Sequence, residues 1–117
     1  MQVPYKIVAV VLHYNSSDSL FKVLAAIKEQ TVRPNHIIVV DNASQVDLSN
    51  TFKGNTDIIF KRLETNLGVG AGHNTGWRAA IAAYDAELIW SLEHDTIPKP
   101  DCLEKLIDHY KPNELVA

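Results

Sequence analysis

Cysteine is almost missing from this chain: Cys102 is the only one in 117 residues, so no internal disulfide and no thiolate-based metal site can form. That usage fits a reducing, cytoplasmic setting. Clustered positive charge is missing too. Eleven Lys and Arg stand against fourteen Asp and Glu, and a net charge of −3 argues against a broad nucleic-acid-binding surface. A phosphorylated small molecule remains compatible with that balance, because a metal ion or a helix N-terminus can supply the positive charge. Long apolar runs are absent: Ile7–Leu12 is far short of the ~20 residues that cross a bilayer. Met1-Gln-Val-Pro-Tyr-Lys lacks the charged and apolar regions of a secretion signal. There is no repeat, low-complexity tract or linker. The length suits one domain or part of one, able to bury roughly two-thirds of its surface on folding.

What is present alternates. Ile7–Leu12 is a β-branched run of the kind buried on both faces of a parallel sheet, and it ends in His13-Tyr14-Asn15. Ser16, Ser17 and Asp18 offer a helix start, and Leu20, Val23, Leu24 and Ile27 follow at helical spacing to about Gln30. His36–Val40 reads as a second buried strand, running into Asp41-Asn42-Ala-Ser44. A short helix capped by Asp47 is expected through Leu48 and Phe52, stopped by Gly54. Asp57–Leu63 is a more polar strand, nearer an edge. Asn66–Gly76 holds four of the five glycines and is expected to be a flexible loop. Trp77, Ala80, Ile81 and Tyr84 mark the helix leaving it, with Trp77 in the core. Leu88–Leu92 is a fourth strand. Pro100 opens a last helix with Leu103, Leu106, Ile107 and Tyr110 on one face, ended by Lys111-Pro112-Asn113.

This order predicts an α/β fold with a mostly parallel sheet of about four strands flanked by helices. Three of those strands end in polar clusters: Tyr14-Asn15, Asp41-Asn42 and Glu93-His94-Asp95. In a parallel sheet the clusters share one rim, where ligands sit beyond the strand ends. Strand alternation would aim Glu93 and Asp95 at one point, as metal-type carboxylates. Asp41 offers an acceptor for a ribose or base, Tyr14 a stacking ring, and the glycine stretch N–H groups for phosphate. Together they describe a site for a nucleoside diphosphate with a divalent metal. Each has a plainer reading: packing for Tyr14, a turn for Asp41-Asn42, a mobile connection for the glycines. Other nucleotide folds are excluded by spacing. His73 stands where a dinucleotide fingerprint needs glycine, and no P-loop pattern occurs. A receiver domain needs acids after its first strand, where this chain has His13-Tyr14-Asn15. His13, His73 and His94 form no HxH or HxxxH pair that would favour zinc.

Four motifs in order, spanning almost the whole chain, resemble the family 2 glycosyltransferases of GT-A fold. His13-Tyr14-Asn15 and Ile38-Val-Val-Asp41-Asn42-Ala-Ser44 are similar to the first two signatures. Asn66-Leu-Gly68 with Gly72-His73-Asn74-Thr75-Gly76 resembles the third, and Leu92–Pro98 falls where the family carries its DxD motif. The nearest flavour is the rhamnosyltransferase-like and galactofuranosyltransferase-like branch. The resemblance implies inverting transfer of a sugar from a UDP or dTDP donor to a saccharide or lipid-linked acceptor, a step of polysaccharide biosynthesis. It implies that Tyr14 and Asp41 line the nucleoside pocket with Asn15 supporting the turn, and that Asn66, Gly68 and Asn74 shape the loop near ribose and pyrophosphate. Asp95, with Glu93, would hold Mg²⁺ or Mn²⁺. Two departures stand out: Glu93 replaces the first Asp of the motif, and His73 occupies a position often basic in relatives.

Length is the larger departure. The family's acceptor half and its carboxylate general base would lie beyond residue 117, and Glu114–Ala117 reads as the start of a fifth strand. Residues 1–117 are thus expected to be an N-terminal sugar-nucleotide-binding part, inactive in transfer alone. The competing functions are a non-catalytic nucleotide-sugar-binding module and a ligand-free α/β interaction domain. An open sheet edge at the fourth strand or beyond would offer a route to a homo-oligomer. A lipid-linked acceptor would bring the full protein peripherally to the inner face of a membrane.

Overall fold

The computed structural model describes residues 4–110. Its elements are β1 (Ile7–His13), α1 (Ser17–Lys28), β2 (His36–Asp41), α2 (Ser49–Phe52), β3 (Ile58–Arg62), α3 (Gly68–Tyr84), β4 (Leu88–Glu93) and α4 (Cys102–Asp108). All strand pairs are parallel, in the order β3-β2-β1-β4. Every residue of β1 is buried, as its unbroken β-branched run requires of a strand covered on both faces. Alternation divides it. Ile7, Ala9 and Val11 join Leu20, Val23, Leu24 and Ile27 of α1, Phe52 of α2 and Leu103 of α4 on one face. Val8, Val10 and Leu12 meet Ile38, Val40 and Ala80 of α3 on the other. The result is three layers, an α/β fold as the sequence predicts.

The chain steps outward from β1 through β2 to β3, and α3 then carries it back across the sheet to the far side of β1. The winding direction switches between β1 and β4, so the crevice expected to receive a ligand opens at their carboxyl ends. Registers of His13 with Asp41 and of Leu12 with Glu93 bring those ends level.

Three expectations need correction. The glycine-rich stretch is not a flexible loop; α3 begins at Gly68 and runs through it. Its glycines serve close packing. A Cβ on Gly76 would lie 2.2 Å from Val10 Cγ1 and 3.1 Å from Val40 Cγ2, and one on Gly72 would lie 2.6 Å from Leu12 Cδ1. Only hydrogen at these positions lets the helix lie so near the sheet, which outweighs glycine's poor helix propensity. Trp77 is not a core residue: it is 38% exposed on the flank of α3, with Nε1 donating to Ser91 Oγ at 2.7 Å. Finally, β4 stops at Glu93, and the Thr96 N–H donates to the Glu93 carbonyl across a turn. Asp95 lies in that turn, so strand alternation does not pair it with Glu93. The helix stop at Lys111-Pro112-Asn113 and the fifth strand at Glu114–Ala117 lie outside the described residues.

Candidate functional site

The rim is built on a buried polar hub. Asp41, the last residue of β2, is 0% exposed. One oxygen meets His13 Nδ1 at 3.0 Å and also accepts from the Ser44 hydroxyl. The other accepts from the Ser44 N–H at 3.3 Å and from Arg62 at 2.9 Å. Arg62 also donates to the Ser44 carbonyl at 2.8 Å, closing the loop after β2 against the end of β3. The tautomer of His13 follows from its partners. The Ser16 N–H donates to Nε2 at 3.0 Å, so Nε2 carries no proton and Nδ1–H donates to Asp41. Burial pushes the His13 pKa below its ordinary value, against the opposing pull of Asp41. The ring is neutral and locked.

Two loops cross above this hub. Asn15 takes a left-handed conformation, φ 50°, which asparagine tolerates better than most residues. Its N–H donates to Ser44 Oγ at 2.8 Å, and its side-chain oxygen accepts from the Gln45 N–H at 2.7 Å. Asn15 thus ties the loop after β1 to the loop after β2. Between them the Tyr14 ring is left exposed, while its N–H donates to His94 Nδ1 at 3.3 Å. The His94 N–H in turn donates to the Leu12 carbonyl at 3.0 Å, extending the β1–β4 ladder by one step.

Asn42 makes the third connection. Nearly buried, it accepts from the Leu67 N–H at 2.9 Å and donates to the Gly68 carbonyl at 3.2 Å. Asn66 Oδ1 accepts from the Gly68 N–H at 2.8 Å, and Gly68 itself has φ +83°, a turn that glycine enters without strain. The two asparagines fix where α3 starts. Asn66 takes the N–H of Gly68, while the N-cap residue Leu67 contributes no capping side chain, so the N–H groups of Val69 and Gly70, which have no intrahelical acceptor, stand at the rim with the positive end of the helix dipole.

Leu12, Tyr14, Asn66, Gly68, Glu93 and His94 are among the walls of a cleft of about 330 Å³ at this corner. That lies at the small end of ligand pockets, about 300–1,000 Å³. Of the residues singled out in the sequence, Tyr14, Asn66, Gly68 and Glu93 line the cleft. Asp41, buried, and Asn15, exposed in the loop after β1, do not line it and instead hold its loops. Asn74, exposed in the second turn of α3, does not line it. Asp95 stands in the turn beyond β4, exposed, with its oxygen 3.5 Å from the Thr96 hydroxyl. Glu93 reaches toward His73, its Oε1 3.9 Å from Nε2. Among the described residues no three His, Cys, Asp or Glu side chains converge to hold an ion. The described residues therefore form no self-contained protein cage, and a hard cation here would be held by Glu93 or Asp95 together with phosphate oxygens of a ligand.

Sequence reasoning placed His13, Asn42, Ser44 and His94 within motifs, and weighed His13 and His94 only as zinc ligands, but gave neither them nor Arg62 a task in holding the rim together. Their types are ordinary, and only the parallel register brings them together. A buried polar residue closing each of two adjacent strands was the one available signal.

The family described as Glycosyl transferase family 2 matches residues 8–117. No curated protein matches the chain. Among solved structures, S. aureus TarS 1–349 in complex with UDP superposes with a TM-score of 0.67 at 20% identity, covering 88% of this chain and 31% of that one. The same fragment in complex with UDP-GlcNAc gives 0.67 at 22% identity, over 88% and 30%. The mannosyltransferase PcManGT from Pyrobaculum calidifontis, in complex with GDP-Man and Mn²⁺, gives 0.72 at 20%, over 94% and 34%. This chain spans about a third of the length of these three solved chains.

Proposed function

Since this chain belongs to glycosyl transferase family 2 and has a Rossmann-like α/β fold of the GT-A type, we propose that the cleft between β1, β4 and the start of α3 binds the nucleoside diphosphate of a sugar donor. The observation that carries this is the meeting of three unlike groups at one switch-point cleft: the exposed Tyr14 ring, the N-terminus of α3, and the Glu93 carboxylate. An aromatic face suits a base, helix N–H groups suit phosphate, and a carboxylate suits a phosphate-bound cation.

Each residue then has a task. Tyr14 stacks on the nucleoside base. Asp41, held with His13 and Arg62, fixes the floor of the nucleoside subsite, and Asn15 sets the loop that presents Tyr14. Asn66 and Gly68 set the start of α3 so that the N–H groups of Val69 and Gly70 meet the diphosphate, with Asn74 one turn further out. Asp95 and Glu93 hold Mg²⁺ or Mn²⁺ jointly with the diphosphate, and the metal's contribution is to neutralise charge on the leaving group. In the whole protein the acceptor is a saccharide or a lipid-linked saccharide, and transfer inverts the anomeric centre. The acceptor hydroxyl attacks the anomeric carbon, its proton passes to a carboxylate base, and the bond to the diphosphate oxygen breaks. Residues 1–117 serve this reaction as the donor-binding part. The donor is a UDP- or dTDP-sugar, and the site works in the cytoplasm, peripherally at a membrane when the acceptor is lipid-linked. Among the described residues no helix is long and apolar enough to cross a membrane.

A non-catalytic nucleotide-sugar-binding module is the second reading. It is favoured by one observation: among the described residues Glu93 is the only carboxylate lining the cleft, and it is assigned to the metal. Calorimetric titration with UDP, dTDP and GDP, each with and without Mn²⁺, tests the binding proposal. Metal-dependent binding of UDP or dTDP that Asp95→Ala abolishes is the expected result. No heat with any nucleotide sinks both readings, and sugar transfer by the 117-residue chain alone sinks the second.

A further inference from the structure

Among the described residues the buried polar side chains are His13, Asp41, Asn42, Ser44 and Gln30. The first four hold the loops after β1 and β2 and the start of α3. Gln30 lies outside that hub, just past the end of α1, and is only 4% exposed. A buried amide costs free energy unless its groups are bonded, and these are. Nε2 donates to the Lys99 carbonyl at 2.6 Å and to the Ala26 carbonyl at 3.2 Å. Oε1 accepts from the Leu103 N–H at 3.1 Å. Two carbonyls on one side and an N–H on the other leave the amide a single orientation. Next along the chain, the Thr31 N–H donates to the Pro100 carbonyl at 2.8 Å.

The contacts with Lys99, Pro100 and Leu103 all fall on the segment that leads from the β4 turn into α4. Leaving β4 at Glu93, the chain is tied once more to β1, where the His94 N–H meets the Leu12 carbonyl. Among the described residues its next hydrogen bonds to another element are those made by Gln30 and Thr31. Asp95 lies between the two ties. Its own carboxylate touches only the Thr96 hydroxyl, at 3.5 Å, so its place follows from where the turn is held. The Lys99 carbonyl also accepts from the Cys102 N–H at 3.0 Å, but that bond closes the segment on itself. The Gln30 amide and the Thr31 N–H are what join it to α1. We propose that Gln30 is a positioning residue for the metal corner: by pinning the far end of the turn, it sets where Asp95 presents its carboxylate to a divalent cation on the diphosphate. This rests on the metal role proposed for Asp95. Gln30 then does for the loop after β4 what Asp41 and Asn42 do for the other loops of the rim.

Calorimetric titration of the 117-residue chain with UDP, across a range of Mn²⁺ concentrations, tests this. Gln30→Met keeps a similar volume and removes every bond of the amide. Metal-free UDP affinity should stay within about twofold, while the Mn²⁺ needed for half-maximal tightening should rise about tenfold, the lower end of what losing the support of a metal ligand costs. Ile58→Val, a core truncation in β3, should lower stability and change neither quantity. A wild-type chain that binds UDP with no gain from Mn²⁺ removes the metal reading and this inference with it. A wild-type chain that gains, beside a Gln30→Met chain with the same Mn²⁺ requirement, overturns the role of Gln30 alone. So does a variant whose metal-free affinity falls in step, the mark of general loosening. Linkage adds a readout that needs no variant: what Gln30 does for the cation, the cation does for the bonds of Gln30. The Thr31 and Leu103 amides should exchange more slowly with UDP and Mn²⁺ than with UDP alone, by a larger factor than the Val10 amide of β1. Equal factors at all three overturn the proposal.

Discussion

His13 and Asp41 close adjacent strands at the same height and share a hydrogen bond of 3.0 Å with both side chains buried. The pair joins the two loops that frame the cleft, so its protonation state is also the state of the rim. Both ring nitrogens of His13 are committed in the fold, and its pKa lies below the ordinary value of 6.5. The unfolded chain therefore binds this proton at a pH where the folded chain does not. Stability from His13 is fully present above about 6.5 and falls as the pH drops toward the folded pKa. Urea midpoints measured from pH 8 downward should decline below that value, and His13→Gln should flatten the decline.

Asp41→Ala leaves the His13 N–H, the Ser44 hydroxyl and the Arg62 guanidinium without their shared acceptor. Breaking a buried pair by removing one partner costs about 3–5 kcal/mol. Arg62 is 32% exposed and recovers some hydration, which places the loss toward the lower figure. Denaturant unfolding gives the value directly, and Asp41→Asn should lose less.

The glycines of α3 should divide sharply. Gly76→Ala drives a methyl into Val10 and Val40 and should destabilise by about 1–3 kcal/mol or more. Gly70→Ala meets nothing within 4 Å and lies inside the same helix. It should stabilise by up to ~1 kcal/mol through helix propensity. Thermal melts of the two variants side by side decide the matter.

Tyr14→Ala removes an exposed ring and should leave the melting temperature almost unchanged. Nucleotide binding should weaken by about 1–3 kcal/mol, the usual worth of a base stacked on an aromatic. Calorimetric titration with UDP checks it. Unaltered affinity would exclude Tyr14 from the nucleoside subsite.

The strands were readable because β1 and β2 are continuous β-branched runs, a pattern that few other structures use. The glycine stretch misled for a physical reason. Local propensity treats Gly72 and Gly76 as breakers, whereas the facing residues Val10, Val40 and Leu12 make them the only side chains that fit. Trp77 misled similarly: its size predicts core, but its indole N–H finds a hydroxyl at the edge of β4. The polar strand ends were visible, and so was their shared rim. Their division into floor and wall was not. Asp41 and Tyr14 look equally suited to a ligand in one dimension, and only burial separates the one that holds the loops from the one that faces outward.

The missing side chains at Gly72 and Gly76 also act as a height gauge. They set how low α3 rides over β1 and β2, and its first turn is the continuation of the same rigid rod. Thickening the contact by one methyl raises the whole rod, and its leading end rises with it, away from the strand tips. Gly72→Ala, one turn from the cleft and touching no ligand, should thus cost nucleotide affinity beyond what its loss of stability accounts for.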